Sequence, residues 1–85
     1  NYPNPFNPTT DIVYEIPVTT HVNVTIFNSL GQKVARLVDR EQIAGKYQIT
    51  WDGMSDAGTK MSSGVYFFKL DTEQFSKTIK MIMMK

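Results

Sequence analysis

Cysteine is absent from the 85-residue chain, which excludes a disulfide framework and any thiolate-based metal or redox centre. Histidine occurs once, as His21. A nucleophilic triad needs a histidine oriented by a carboxylate and within reach of a hydroxyl or thiol. No side chain near His21 in sequence is placed to orient its ring, so it reads as a solvent-exposed loop residue. No apolar run approaches the ~20 residues that span a bilayer, so neither a transmembrane segment nor a signal peptide is expected within these residues. A surplus of one charge is missing too. Nine basic and eight acidic residues are interspersed for a net charge of +1, without the basic stripe that a nucleic-acid partner or an acidic membrane selects. There is no convincing helical period, no internal repeat and no low-complexity tract.

What is present is alternation. Within residues 45–70, Tyr47, Ile49 and Trp51 alternate with Gln48 and Thr50, and Tyr66, Phe68 and Leu70 repeat at the same period of two, so each strand turns one face inward. Between them lies a turn-dense loop, Asp52-Gly53-Met54-Ser55-Asp56-Ala57-Gly58, whose Asp-Gly and Ala-Gly pairs signal two bends rather than a helix. Met61 is a candidate for brief pairing. Upstream, residues 11–16 place Ile12, Tyr14 and Ile16 on one face and end at Pro17. Val22, Val24 and Ile26 then alternate with Asn23, Thr25 and Phe27. Residues 28–31 make a tight connection in which Gly31 takes positive φ at little cost. Residues 32–38 return as a third strand, with a helical turn as the competing reading of Val34 to Val38. Residues 39–45 are polar and end in glycine, and read as a loop or a short edge turn. Beyond a polar tip at 71–74, residues 75–84 form the last strand, with Ile79, Met81 and Met83 inward and Thr78, Lys80, Ile82 and Met84 on the other side.

Residues 1–9 carry three prolines, which fix φ and remove amide donors, so this lead-in is expected to run extended along an edge with Tyr2 and Phe6 as anchors. The chain opens at Asn1 rather than Met, the expectation being a piece of a longer polypeptide. About seven short strands at regular spacing predict an all-β fold, an immunoglobulin-like antiparallel β-sandwich forming one domain over residues 1–85. At this length folding hides roughly 60–65% of the unfolded chain's surface, which leaves a thin core.

Candidate sites are few. Asp52 and Asp56 offer oxygens to a cation, with Asp71 or Glu73 joining only if the fold brings them near. The loop lacks the regular acidic spacing of a calcium hand, and side chains bonding their own turn backbone are the better reading. Trp51, Tyr47 and Tyr66 suggest a sugar-stacking platform, but each lies on its strand's core face, so core packing is expected. Phe67 points outward. With Val65, Ile82 and Met84 on adjacent strands it forms an apolar patch, either a docking surface or one covered by residues 1–9. No catalytic residue, metal or cofactor is expected.

Taken together, YPNPFNPTT, FNSLGQKVARLV, WDGMSDAG, SSGVYFFKL and the closing KMIMMK resemble the C-terminal sorting domain of proteins exported by the bacterial type-nine secretion system. The portion from WDG to GVY also resembles the related immunoglobulin-like domain of flagellar hook-capping proteins. The sorting resemblance implies a non-catalytic export and cell-surface attachment signal, preceded covalently by a cargo domain. Such a signal is read in the periplasm by outer-membrane secretion machinery, and its protein ends up secreted or on the cell surface. Ile79, Lys80, Met81, Ile82, Met83, Met84 and Lys85 match the segment which that family presents to the machinery. Met83 and Met84 are bulkier than the aliphatics usual there. An accessory binding module of a secreted enzyme, for carbohydrate or for a neighbouring catalytic domain, is the alternative; a self-associating structural domain like the hook-capping relatives is the third.

Overall fold

The alternating segments become six strands: β1 (Thr10–Ile16), β2 (Thr20–Asn28), β3 (Lys33–Gln42), β4 (Gly45–Trp51), β5 (Gly64–Thr72) and β6 (Ser76–Met83). The computed structural model describes residues 9–84, so the lead-in anchors Tyr2 and Phe6 and the terminal Lys85 lie outside the described residues. Two antiparallel sheets form, one of β1 and β4 and one in the order β3-β2-β5-β6. The immunoglobulin-like sandwich is thus as expected, with six strands where seven were counted. The difference lies in the connection to β5, where Met61 starts no strand. A single bridge there joins Met54 to Lys60.

Period-two patterning assigns the core. β1 buries Ile12, Tyr14 and Ile16, and the central strands β2 and β5 bury Val22, Val24, Ile26, Tyr66, Phe68 and Leu70. Trp51, 1% exposed, ends β4 and meets Tyr66 edge to face, with ring centroids 5.2 Å apart. Its indole Nε1–H donates to the carbonyl of Met54 at 2.9 Å, which satisfies the one polar atom that burial would otherwise orphan. Core packing, not a sugar platform, is therefore the role of Trp51 and Tyr66. Tyr47 remains half-buried and stacks on Tyr14 at 5.4 Å.

β3 departs most from expectation. It continues through residues 39–42, expected as loop, because Asp39, Arg40, Glu41 and Gln42 pair with Asn23, Val22, His21 and Thr20 of β2. Backbone pairing with an apolar neighbour overrides their poor strand propensity. The register shifts between Val24 and Thr25 and again between Ile26 and Phe27. Each shift puts an extra residue on one strand and re-aims its side chains. That is why Val34 and Ala35, adjacent in sequence, are both buried, and why the alternation of this segment is unclean. The tight turn after β2 is as expected. Asn28 Oδ1 accepts the amides of Leu30 and Gln32, each at 2.9 Å, and Gly31 holds φ +82°, a conformation that a side chain makes costly. At the other end, β6 starts at Ser76 rather than Phe75, which stays half-buried in the turn after β5.

A buried polar contact ties the two sheets together. The Tyr14 hydroxyl, on β1, donates to Gln42 Oε1 at the end of β3 at 2.6 Å, in a buried setting. Burial raises the Tyr14 pKa above its ordinary 10.0, partly opposed by the bond to Gln42. A group held neutral in the folded chain and freer to ionise when unfolded adds stability that is whole below the unfolded value and lost as pH rises through the folded one. Tyr14→Phe, which strands the buried Gln42 oxygen, should cost about 1–3 kcal/mol. Tyr14→Phe combined with Gln42→Leu should recover part of that loss, and Tyr14→Phe should flatten the fall in stability above pH 10; urea titrations of the single and double variants across pH measure both effects.

Candidate functional site

No cluster of three or more metal-ligating side chains occurs among the described residues. The side chains that the sequence singled out distribute instead over strand edges and faces. The Asp52–Asp56 loop is a bonded hairpin. Asp52 Oδ1 accepts the Met54 amide at 3.0 Å, Ser55 O accepts the Gly58 amide at 2.9 Å, and Ser55 Oγ accepts the Thr59 amide at 3.2 Å. Asp52 thus bonds its own turn as expected. Asp56 does something else: its amide donates to Val34 O at 3.0 Å, and its carboxylate accepts the Arg36 amide at 3.2 Å. This pair of contacts occupies part of the outer edge of β3, a place where unpaired backbone groups invite another strand.

His21 lies on β2, not in a loop, and its Nε2 sits 2.6 Å from Asp39 Oδ1. Asp39 Oδ2 in turn accepts from Arg36 Nη1 at 3.2 Å. The missing orienting carboxylate of the sequence reading is therefore present, brought 18 residues along the chain by the β2–β3 pairing. The hydrogen bond from His21 holds the Asp39 carboxyl below its usual range, which favours the folded state above the unfolded pKa and is lost as pH falls through the lowered one. All of these groups are exposed to solvent, and open ion pairs of this kind contribute little.

β6 carries the segment singled out at the chain's end. Met83 is buried, Met81 half-buried and Lys80 exposed, while Ile79 is 40%, Ile82 66% and Met84 77% exposed. The inward set Ile79, Met81 and Met83 shares a face as expected, but the small sheet leaves its Ile79 end open. On the outer face, Val65 lies opposite Ile82, and Phe67 opposite Lys80. Phe27 of β2 lies opposite Phe67 on the other side. Val65, Phe67 and Phe27 are all half-buried. Phe27 extends the patch, a neighbour that only the β2–β5 register reveals.

A groove escaped the sequence reading altogether. Among the described residues, about 340 Å³ of space opens between the outer edge of β1 and β6, lined by Val13, Tyr14, Glu15, Lys46, Phe68, Leu70, Phe75, Lys77 and Ile79. Its lining is mainly apolar, with Glu15, Lys46 and Lys77 as the charged groups. The one available signal was Lys77, which continues the inward alternation of Ile79, Met81 and Met83. A lysine at that phase marks a core face that runs out into solvent.

Comparison with known proteins points in one direction. A family model described as the FlgD Ig-like domain matches residues 10–75. The structure of FlgD from P. aeruginosa is similar at 29% identity with a TM-score of 0.69, over 88% of this chain and 58% of that one. FlgD from Xanthomonas campestris, described in terms of the hook capping essential for flagellar assembly, matches in fold at 22% identity and a TM-score of 0.69, over 91% of this chain and 56% of that one. The chain thus spans a little over half the length of each. No curated protein matches. These findings overturn the sorting-domain reading, since both the family model and the structures are of the hook-capping relative. The export-signal function, its alternative as a module of a secreted enzyme, the secretion machinery and cargo as partners, and the cell-surface destination are corrected with it.

Because the Asp56 carboxylate accepts the Arg36 amide on the β3 edge, Asp56→Ala should speed hydrogen exchange at that amide and cost about 0.5–1.5 kcal/mol. Asp56→Asn, which keeps an acceptor, should retain most of the protection; exchange followed by NMR distinguishes the two.

Proposed function

Because the chain belongs to the FlgD Ig-like domain family, we propose that it is a folded, non-catalytic assembly module of a hook-capping type of protein, working through its strand edges and sheet faces rather than through a reactive centre. The observation that carries this reading is the family match over residues 10–75, which takes in β1 to β5 and the loops between them. The placement of side chains supports it. The large aromatics Trp51, Tyr66 and Phe68 are used up in the core, and the His21–Asp39–Arg36 cluster is open to solvent on a strand face. Of the exposed large apolar side chains, Ile79, Ile82 and Met84 lie along the last strand and its end, while Val13, Val18, Leu30 and Ile43 are spread over β1 and the loops. A sandwich does not dictate a function, so the reading rests on the family.

Grafting tests it. In the hook-capping protein of Xanthomonas campestris, residues 10–84 of this chain would replace the immunoglobulin-like domain, beside a strain in which that domain is deleted. Hook assembly above the level of the deletion is the expected outcome. A chimera that is folded and abundant in cells, yet assembles hooks no better than the deletion, overturns the proposal.

A further inference from the structure

Among the described residues the outer edges of β1, β4 and β6 lack the cover that β3 receives from Asp56. Those of β1 and β6 border the same groove. Their outward-facing residues differ in charge. On β1 these are Asp11, Val13 and Glu15, an acid on either side of a valine that is 61% exposed. On β6 they include Lys80, Ile82 and Met84, with Lys77 at the groove, and no acidic residue occurs on the strand. A basic, apolar edge cannot pair well with itself, because like charges directly opposite one another destabilise a ladder. An acidic edge of matching spacing is its natural complement.

We propose that β6 pairs antiparallel with β1 of a second copy of this chain, and β1 with that copy's β6, closing a two-fold dimer across the groove. With Lys80 set against the second copy's Glu15, the two-residue period brings Ile82 opposite its Val13, Met81 opposite its Tyr14 and Ile79 opposite its Ile16. These four pairs are apolar with apolar or base with acid, the combinations that stabilise neighbouring strands, while the same register sets Met84 opposite the second copy's Asp11 and Lys77 opposite its Val18. Since both edges flank one groove, a two-fold axis satisfies the two pairings at once, where a head-to-tail arrangement would continue into an open filament. Each four-stranded sheet is then extended by the other copy's two-stranded one. The strands are only seven and eight residues long, so the contact lies near the lower end of the ~1,200 Å² of specific interfaces, and association should depend on concentration. The pairing depends on the chain's own edges alone and is independent of the hook-capping reading.

Sedimentation of the whole chain from micromolar to millimolar concentration should show a monomer passing to a dimer. Lys77→Glu with Lys80→Glu should weaken the dimer by about tenfold, as should Asp11→Lys with Glu15→Lys. Each variant alone sets like charges together at both pairings, but an equimolar mixture sets opposite charges together at both. Mixing should therefore restore association as a heterodimer, which an unfolded variant could not do. A chain that stays monomeric throughout, a dimer indifferent to both pairs of substitutions, or a mixture no better than its components overturns the proposal.

Discussion

Trp51 sets the relation between the two sheets. It sits at the last position of β4, buried against Tyr66 of the opposite sheet and bonded through its indole to Met54 in the next loop. A large side chain at the end of a strand anchors the segments on both sides of it. Upstream, β4 and its partner β1 are held over the central strands β2 and β5. Downstream, the 52–60 loop is drawn close enough for Asp56 to bond the edge of β3. The opposite side has no such anchor. There the two-stranded sheet stops short of β6, leaving Ile79 and Lys77 beside an open groove. One edge covered and one edge open are two results of laying a small sheet over a larger one.

Most of this was legible wherever a strand announces itself by local alternation. The alternation of Tyr47, Ile49 and Trp51 reads as a strand where β4 is found, and the inward faces of β1, β2 and β5 come from period-two spacing alone. The turn after β2 was equally plain, because Asn28 and Gly31 supply the acceptor and the positive φ that it requires. What local spacing does not contain is pairing. Residues 39–42 look like a loop until β2 supplies backbone partners, and the buried neighbours Val34 and Ala35 make no sense until the register shifts are known. His21 and Asp39 meet only through the same pairing. The groove depends on how far one sheet extends over the other, which no single segment encodes.

The corrected family assignment has a physical cause in the motifs that suggested the first one. In NSLG, Asn28 and Gly31 build a turn; in WDG, Trp51 fills the core and Asp52 accepts a loop amide; in GVY, Tyr66 packs against Trp51 and its hydroxyl donates to Ser62 O at 2.7 Å. Each answers a need of this sandwich, so two related families with the same fold can meet that need with similar residues and still differ in function. The opening Pro-Asn segment, which favoured the sorting reading, lies outside the matched residues 10–75. Motifs that report on folding cannot by themselves separate two families that fold alike.

The surface carries the information that the core lacks. A strand end such as 79–84, with Ile82 and Met84 mostly exposed, is costly to leave bare, since an unpaired apolar edge recruits other strands without discrimination. Natural edges are made selective by placing charge among the apolar residues, so that attraction remains general and only the correct neighbour relieves the electrostatic penalty. Lys77 and Lys80 do this on β6, as Asp11 and Glu15 do on β1. Had both edges carried the same sign, the charges would serve only to keep copies apart. That they differ in sign, on two strands bordering one groove, makes the pattern specific for a partner and not merely protective.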